Sequence, residues 1–153
     1  MDQPSYSFRK IKRELLFEFD SVSESNLIHK VIAYELIDDT QFIFNLSLVD
    51  KDENGQLSDL AVSNNQDMEK VLATVVETLG VFFMEFEGAK VFFKGSTPSR
   101  TRLYRIIIAK FHKDFKREYV IFGFINNLPE IFEVGKAYEA FLIEKKNNYG
   151  KRH

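Results

Sequence analysis

Apolar and polar residues alternate over residues 8–20 and 40–49 of the chain, whereas residues 27–37 are apolar on both faces, as expected of an interior strand. Leu15, Phe17 and Phe19 occupy alternate positions opposite charged residues, which is typical of a strand with one solvated side. Further along, Asn54-Gly55 marks a hairpin turn, because both residues tolerate positive φ. Four strands are predicted in this part of the chain, at residues 8–20, 27–37, 40–49 and 57–63.

The period changes after residue 63. Between Met68 and Phe83 apolar residues recur at helical spacing, which predicts a helix with Asn65 as its N-cap. A second helix is predicted from Pro98 to about Lys113, with Leu103 in its buried stripe. Strands are predicted at 90–94, 118–126 and 136–145, and a helix is the alternative for the last of these.

This order of elements predicts an α+β fold. The order ββββα then βαββ indicates an antiparallel sheet with two helices packed on one face. Residues 1–146 are interpreted as one domain, since the length suits a single domain and no low-complexity linker divides it. Residues 147–153 are predicted to be a flexible tail.

Composition excludes several classes of protein. The chain has no cysteine, which excludes disulfides, a thiolate nucleophile and cysteine-ligated metals. Its three histidines lack metal-ligand spacing with one another. No apolar run approaches the roughly 20 residues of a membrane helix, and the N-terminus lacks a signal-peptide pattern. We therefore expect a cytoplasmic protein that has no cofactor and no contact with a membrane.

Motifs of enzymes and metal sites are weak or missing. There is no Gly-x-Ser-x-Gly elbow, and Lys94-Gly95-Ser96 lacks the upstream glycine of a phosphate-binding P-loop. Residues 50–55 resemble the start of an EF-hand calcium loop, but Ala61 occupies the position of the bidentate glutamate. A polar hairpin loop explains the same residues. We therefore expect no catalytic residue and no metal site.

Charge is distributed very unevenly along the chain, although the net charge is only −2. Residues 90–117 contain nine Lys or Arg and one acid, a net charge of +8. Residues 14–87 contain sixteen acids and three lysines, a net charge of −13. Asymmetry of this kind bears on binding partners rather than on fold.

The basic segment includes a well-specified helix start. Pro98 suits the first helical position, and Thr97 before it supplies a capping oxygen. The first turn of a helix favours acids, yet here it carries arginines, which costs about 0.3–1 kcal/mol each unless an anion offsets them. We therefore predict an anion- or phosphate-binding site formed by the following residues: Lys94, Ser96, Thr97, Arg100, Arg102, Arg105 and Lys113. The alternative is that these arginines pair with the acidic first half of the chain.

Two strings in the second half resemble a known group of proteins. Residues 94–105 (KGSTPSRTRLYR) and 129–141 (PEIFEVGKAYEAF) resemble a family of small uncharacterised proteins from Bacteroidetes-type bacteria. This resemblance spans most of the chain; it implies a bacterial origin and no established activity. Separately, the predicted order of four strands and a helix over 8–85 is similar to one repeat of the Pur-alpha and Whirly single-stranded nucleic-acid-binding proteins. That likeness is one of topology.

These observations lead to two hypotheses about function. The first is a non-enzymatic binding module whose basic strand–loop–helix, residues 90–117, engages phosphates of single-stranded nucleic acid. Most of the sixteen phenylalanines are expected in the core, so residues 90–117 rather than the first hairpins would carry nucleic-acid binding. The alternative is a protein-interaction domain, bound to an acidic protein or self-associating through patches of opposite charge.

Overall fold

The computed structural model describes residues 4–12, 15–22, 27–58 and 67–146. Over these residues the chain forms two compact units. The first unit comprises Met1–Glu35 and Asn45–Glu87, and the second comprises Leu36–Phe44 and Gly88–His153. The elements are β1 (Arg9–Lys12), β2 (Leu16–Val22), β3 (Leu27–Asp38), β4 (Ile43–Lys51), β5 (Leu57–Ser58), α1 (Met68–Glu85), β6 (Lys90–Phe93), α2 (Pro98–Phe115), β7 (Tyr119–Ile125), β8 (Leu128–Ile131) and β9 (Ala140–Lys145).

In the first unit the strands follow the order β1-β2-β3-β4, and β5 pairs with β4. Helix α1 packs on these strands: the Tyr34 ring stacks on Phe82 with centroids 4.4 Å apart, and its hydroxyl lies 2.8 Å from Thr78 Oγ1. The prediction of one strand over 8–20 is wrong, because β1 pairs antiparallel with β2 and places Arg9 opposite Glu18. Alternation continues through both strands, so the pattern alone does not reveal the reversal.

In the second unit the strands follow the order β6-β9-β7-β8, and every pairing among them is antiparallel. The start of β4 lies beside β6, where the Phe42 carbonyl accepts a 2.9 Å hydrogen bond from the Lys90 N–H. The chain reaches β6 from β4 by a crossover that contains α1, the connection that parallel neighbours require. The α+β class is therefore confirmed, but the prediction of a purely antiparallel sheet is wrong: the sheet is mixed.

The predicted order ββββα then βαββ is also wrong, because within the described ranges five strands precede α1 and three follow α2. Sequence reasoning missed β8. Asn126 and Asn127, at the end of the strand predicted over 118–126, have φ values of 53° and 64° and form the two-residue turn from β7 into β8. The last predicted element is a strand rather than a helix, and it begins at Ala140 rather than Lys136.

Some predicted features lie outside the described residues. These are the Asn65 cap, most of the predicted strand 57–63 and the tail 147–153. The described residue that precedes α1 is Asp67, which makes no side-chain cap hydrogen bond. Within the described part of the chain, neither helix is long and apolar enough to cross a lipid bilayer.

Helix α2 covers one face of the second unit's strands. Phe93 contacts Tyr104 of the helix with ring centroids 6.1 Å apart, and Tyr119 contacts Phe115 at 6.2 Å. Successive side chains of a strand point to opposite faces. Phe92 and its cross-strand neighbours therefore lie on the face away from α2.

Candidate functional site

The start of α2 forms as its sequence predicts. Thr97 has extended backbone angles, φ −133° and ψ 158°, and its hydroxyl accepts a 3.1 Å hydrogen bond from the Arg100 N–H. Pro98 occupies the first turn, where its missing N–H leaves no gap in the helical hydrogen bonds. The N-cap prediction is therefore confirmed. Because the Thr97 oxygen already serves the Arg100 N–H, side-chain cations rather than this N–H would bind an anion here.

A glycine holds the end of β6 against this helix start. The Gly95 N–H donates a 2.9 Å hydrogen bond to Thr101 Oγ1, and Gly95 is buried. A Cβ at Gly95 would lie 2.5 Å from the Thr101 backbone nitrogen and 2.8 Å from the Arg100 carbonyl carbon. Only glycine therefore allows this close approach, which fixes Lys94 and Ser96 beside the first turn of α2.

Three of the predicted site residues are exposed cations. Lys94, Arg102 and Lys113 are exposed, and no carboxylate among the described residues pairs with any of them. Arg102 and Lys113 are eleven residues apart, which places them on one side of α2 and about 16 Å apart along its axis. The first turn of α2 contains no acid.

The other predicted residues take part in contacts within the chain. Arg105 is half-buried, and its Nη1 lies 3.4 Å from the Tyr138 carbonyl oxygen to which it donates. Arg100 is half-buried, and both Arg100 and Ser96 have interactions within the chain. The seven predicted residues therefore divide into exposed cations and groups that also contribute to internal structure.

The solvent face of α2 also carries apolar side chains. Leu103, predicted to be buried, is 38% exposed, and Ile106 is 51% exposed. Thr101 lies in the buried stripe instead, because its hydroxyl bonds to Gly95. His112 adds little charge near neutral pH, because burial against Phe132, and secondarily the positive charge of Lys116, lowers the pKa of its imidazole.

A second surface of this unit was not predicted from the sequence. Across β6, β9, β7 and β8 the residues Phe92, Leu142, Phe122 and Ile131 are direct partners in register. They lie on the face away from α2; the first three are half-buried, and Ile131 is 66% exposed. Phe124 shares this face, with its ring centroid 5.9 Å from that of Phe92. We call Phe92, Phe122, Phe124, Leu142 and Ile131 the phenylalanine face.

The string 129–141 forms a structural network in the same unit. The Tyr138 hydroxyl donates a 2.8 Å hydrogen bond to Glu130 Oε2 and accepts one of 3.0 Å from the Glu133 N–H. Lys136 Nζ lies 2.7 Å from Glu130 Oε2 and 3.2 Å from Glu133 Oε2. The Lys136 ammonium, and then the Tyr138 hydroxyl, lower the pKa of Glu130, while burial and Glu130 raise the pKa of Tyr138. These contacts hold the loop between β8 and β9 in place.

The calcium-like segment behaves as a polar hairpin loop. Asp52 Oδ1 accepts hydrogen bonds from the N–H groups of Asn54 (2.9 Å) and Gln56 (2.8 Å). Asp50 pairs instead with Lys30, at 2.6 Å. The carboxylates that would begin a calcium loop therefore already have partners in the first unit.

Comparison with known proteins gives a family and no activity. No curated protein and no solved structure matches the chain. The predicted membership of an uncharacterised family is confirmed, whereas the bacterial origin and the likeness to Pur-alpha and Whirly proteins stay predictions. A match to the family of unknown function DUF6934 covers residues 2–146, which include both strings quoted from the sequence, so the chain belongs to that family.

Proposed function

We propose that this protein is a non-enzymatic binding module whose second unit engages phosphates of single-stranded nucleic acid through residues 90–117. The observation that carries the proposal is the set of exposed cations Lys94, Arg102 and Lys113, for which no described carboxylate is a partner. When such cations neutralise phosphates, the counterions that surround the nucleic acid are released, and this release favours binding.

The spacing of the cations on α2 fits a row of backbone phosphates better than one compact anion. Arg102 and Lys113 are separated by three helical turns, so one small anion cannot contact both side chains. A phosphate backbone that follows the helix contacts both. Lys94 lies between the last residue of β6 and the start of α2, and it extends the same set of cations toward the sheet.

Removal of exposed charge should change the salt dependence of binding. Log affinity falls as log salt rises, so the slope is negative. We expect Arg102→Gln and Lys113→Gln each to make this slope shallower by about 0.7, the value for one phosphate of a single strand. Both variants should fold normally, because these side chains are exposed and glutamine is a good helix former. The measurement is fluorescence anisotropy of a labelled single-stranded oligonucleotide, titrated at several salt concentrations.

Lys145→Gln is the matched control, because Lys145 Nζ lies 3.6 Å from Glu118 Oε1 and is already compensated. Lys145→Gln should bind with the same salt slope as the wild-type protein. Binding that is absent at low salt, or a slope that Arg102→Gln and Lys113→Gln leave unaltered, would show that these cations do not engage phosphates.

A specific observation also favours the alternative, self-association. Strand β8 is the last strand in the order β6-β9-β7-β8, and two of its apolar side chains are well exposed, Leu128 by 71% and Ile131 by 66%. An edge strand of this kind can pair with a second copy of itself. If it does, the mass measured by sedimentation should rise with protein concentration, and Leu128→Lys should hold it at the monomer value.

A further inference from the structure

The phenylalanine face combines aromatic rings with positive charge. Lys90 lies two residues before Phe92 in β6 and therefore shares its face, away from α2, and the exposed Lys94 directly follows the last residue of β6. Neither lysine forms an ion pair with a described carboxylate, although Glu144 lies directly opposite Lys90 in the register of β6 and β9. Phe92 is therefore flanked by two cations that have no internal partner among the described residues.

We infer that the phenylalanine face binds unpaired bases of a single-stranded nucleic acid, which stack on Phe92, Phe122 and Phe124 while Lys90 and Lys94 contact the phosphates between them. This inference rests on the proposed function and specifies its partner. Lys94 lies between the two surfaces in sequence, since it directly follows β6 and precedes Thr97, the cap residue of α2, by three positions.

The chemistry of the face favours bases over other occupants. Aromatic rings on a sheet stack on any base, and neighbouring cations hold the backbone in place. An apolar surface of a second copy would bury Lys90 and Lys94 without partners, which is costly for ammonium groups. Duplex bases are already paired and stacked on one another, so their flat faces cannot reach the rings. Single strands offer both unstacked bases for the rings and phosphates for the lysines.

Substitution of the rings should weaken binding to bases and leave phosphate binding intact. We expect Phe122→Leu and Phe92→Leu each to weaken binding of a labelled oligothymidylate by about 5- to 100-fold, the effect of losing one stacked base. The salt slope should stay at the wild-type value, because no charge is removed. An abasic strand of equal length should bind the wild-type protein and both variants with the same low affinity.

Phe8→Leu is the matched control, because Phe8 is a half-buried ring of the first unit, 5.5 Å from Phe17. It should bind oligothymidylate as the wild-type protein does, and thermal unfolding followed by circular dichroism should show all three variants folded.

If Phe122→Leu and Phe92→Leu bind oligothymidylate normally while Arg102→Gln still makes the salt slope shallower, the inference fails and the proposed function survives. If no oligonucleotide binds at all, both fail. A variant that instead abolishes concentration-dependent association identifies the face as an interface between copies and overturns the inference.

Discussion

Gly123→Ala should destabilise the second unit by about 3 kcal/mol, at the upper end of the usual cost of overpacking. A Cβ at this position would lie 2.2 Å from Cδ1 and 2.4 Å from Cγ of Tyr138, whose ring lies directly over the β7 backbone. Tyr138 is only 1% exposed and packs against Phe132 with ring centroids 5.2 Å apart, so it has no room to withdraw. Its hydroxyl is also held by Glu130. Chemical denaturation followed by circular dichroism would measure the change in the free energy of unfolding.

Two variants separate this clash from a general effect of alanine. Gly80→Ala in α1 introduces a Cβ with nothing within 4 Å, so we expect it to stabilise the protein by about 0.5–1 kcal/mol. In a Tyr138→Ala background, Gly123→Ala should cost far less than it does in the wild-type protein, because the ring it meets has gone. Equal costs in both backgrounds would mean that the contact between Gly123 and Tyr138 does not constrain the unit.

Local features of the fold could be predicted from sequence because nearby residues determine them. Thr97, Pro98 and the following arginines form a helix start whose hydrogen bonds span only three residues, so its cap follows directly from residue type. The same locality explains the failure at β8. Asn126-Asn127 ends the strand predicted over 118–126, but the sequence does not show whether the chain leaves the sheet there or folds back onto it.

The composition of the site depends on contacts that are distant in sequence. Arg105 donates to the carbonyl of Tyr138, 33 residues away, and nothing near Arg105 in sequence indicates this acceptor. Arg102 differs from it only by its position around the helix, yet it is exposed. The charge pattern of the sequence therefore identified the basic segment. It could not distinguish the exposed cations from those that bond within the chain.

The phenylalanine face was missed for a related reason. In β7 the sequence YVIFGFI is apolar on both faces, so alternation gives no preference for the side that α2 covers. Gly123 was the available signal: a glycine among large apolar residues in a strand often marks the close approach of another group, here the Tyr138 ring. That approach defines the covered face and leaves Phe122 and Phe124 on the other.

Loss of either member of the buried ion pair in the first unit should be as severe as Gly123→Ala or worse. Lys30 Nζ lies 2.6 Å from Asp50 Oδ1, and their side chains are only 4% and 13% exposed. Lys30→Met leaves the Asp50 carboxylate buried without its cation, which typically costs about 3–5 kcal/mol. Asp50→Leu should cost a similar amount for the same reason, because it leaves the Lys30 ammonium unpaired.

The double variant makes this prediction specific to the ion pair. When both charges are replaced by apolar side chains of similar size, no unpaired charge remains, and such replacements are often neutral or stabilising by about 1–4 kcal/mol. Lys30→Met/Asp50→Leu should therefore be more stable than either single variant, as measured by urea denaturation of all four proteins. Additive losses in the double variant would mean that the two charges act independently. In that case the cost of each substitution would come from packing around β3 and β4 rather than from an uncompensated charge.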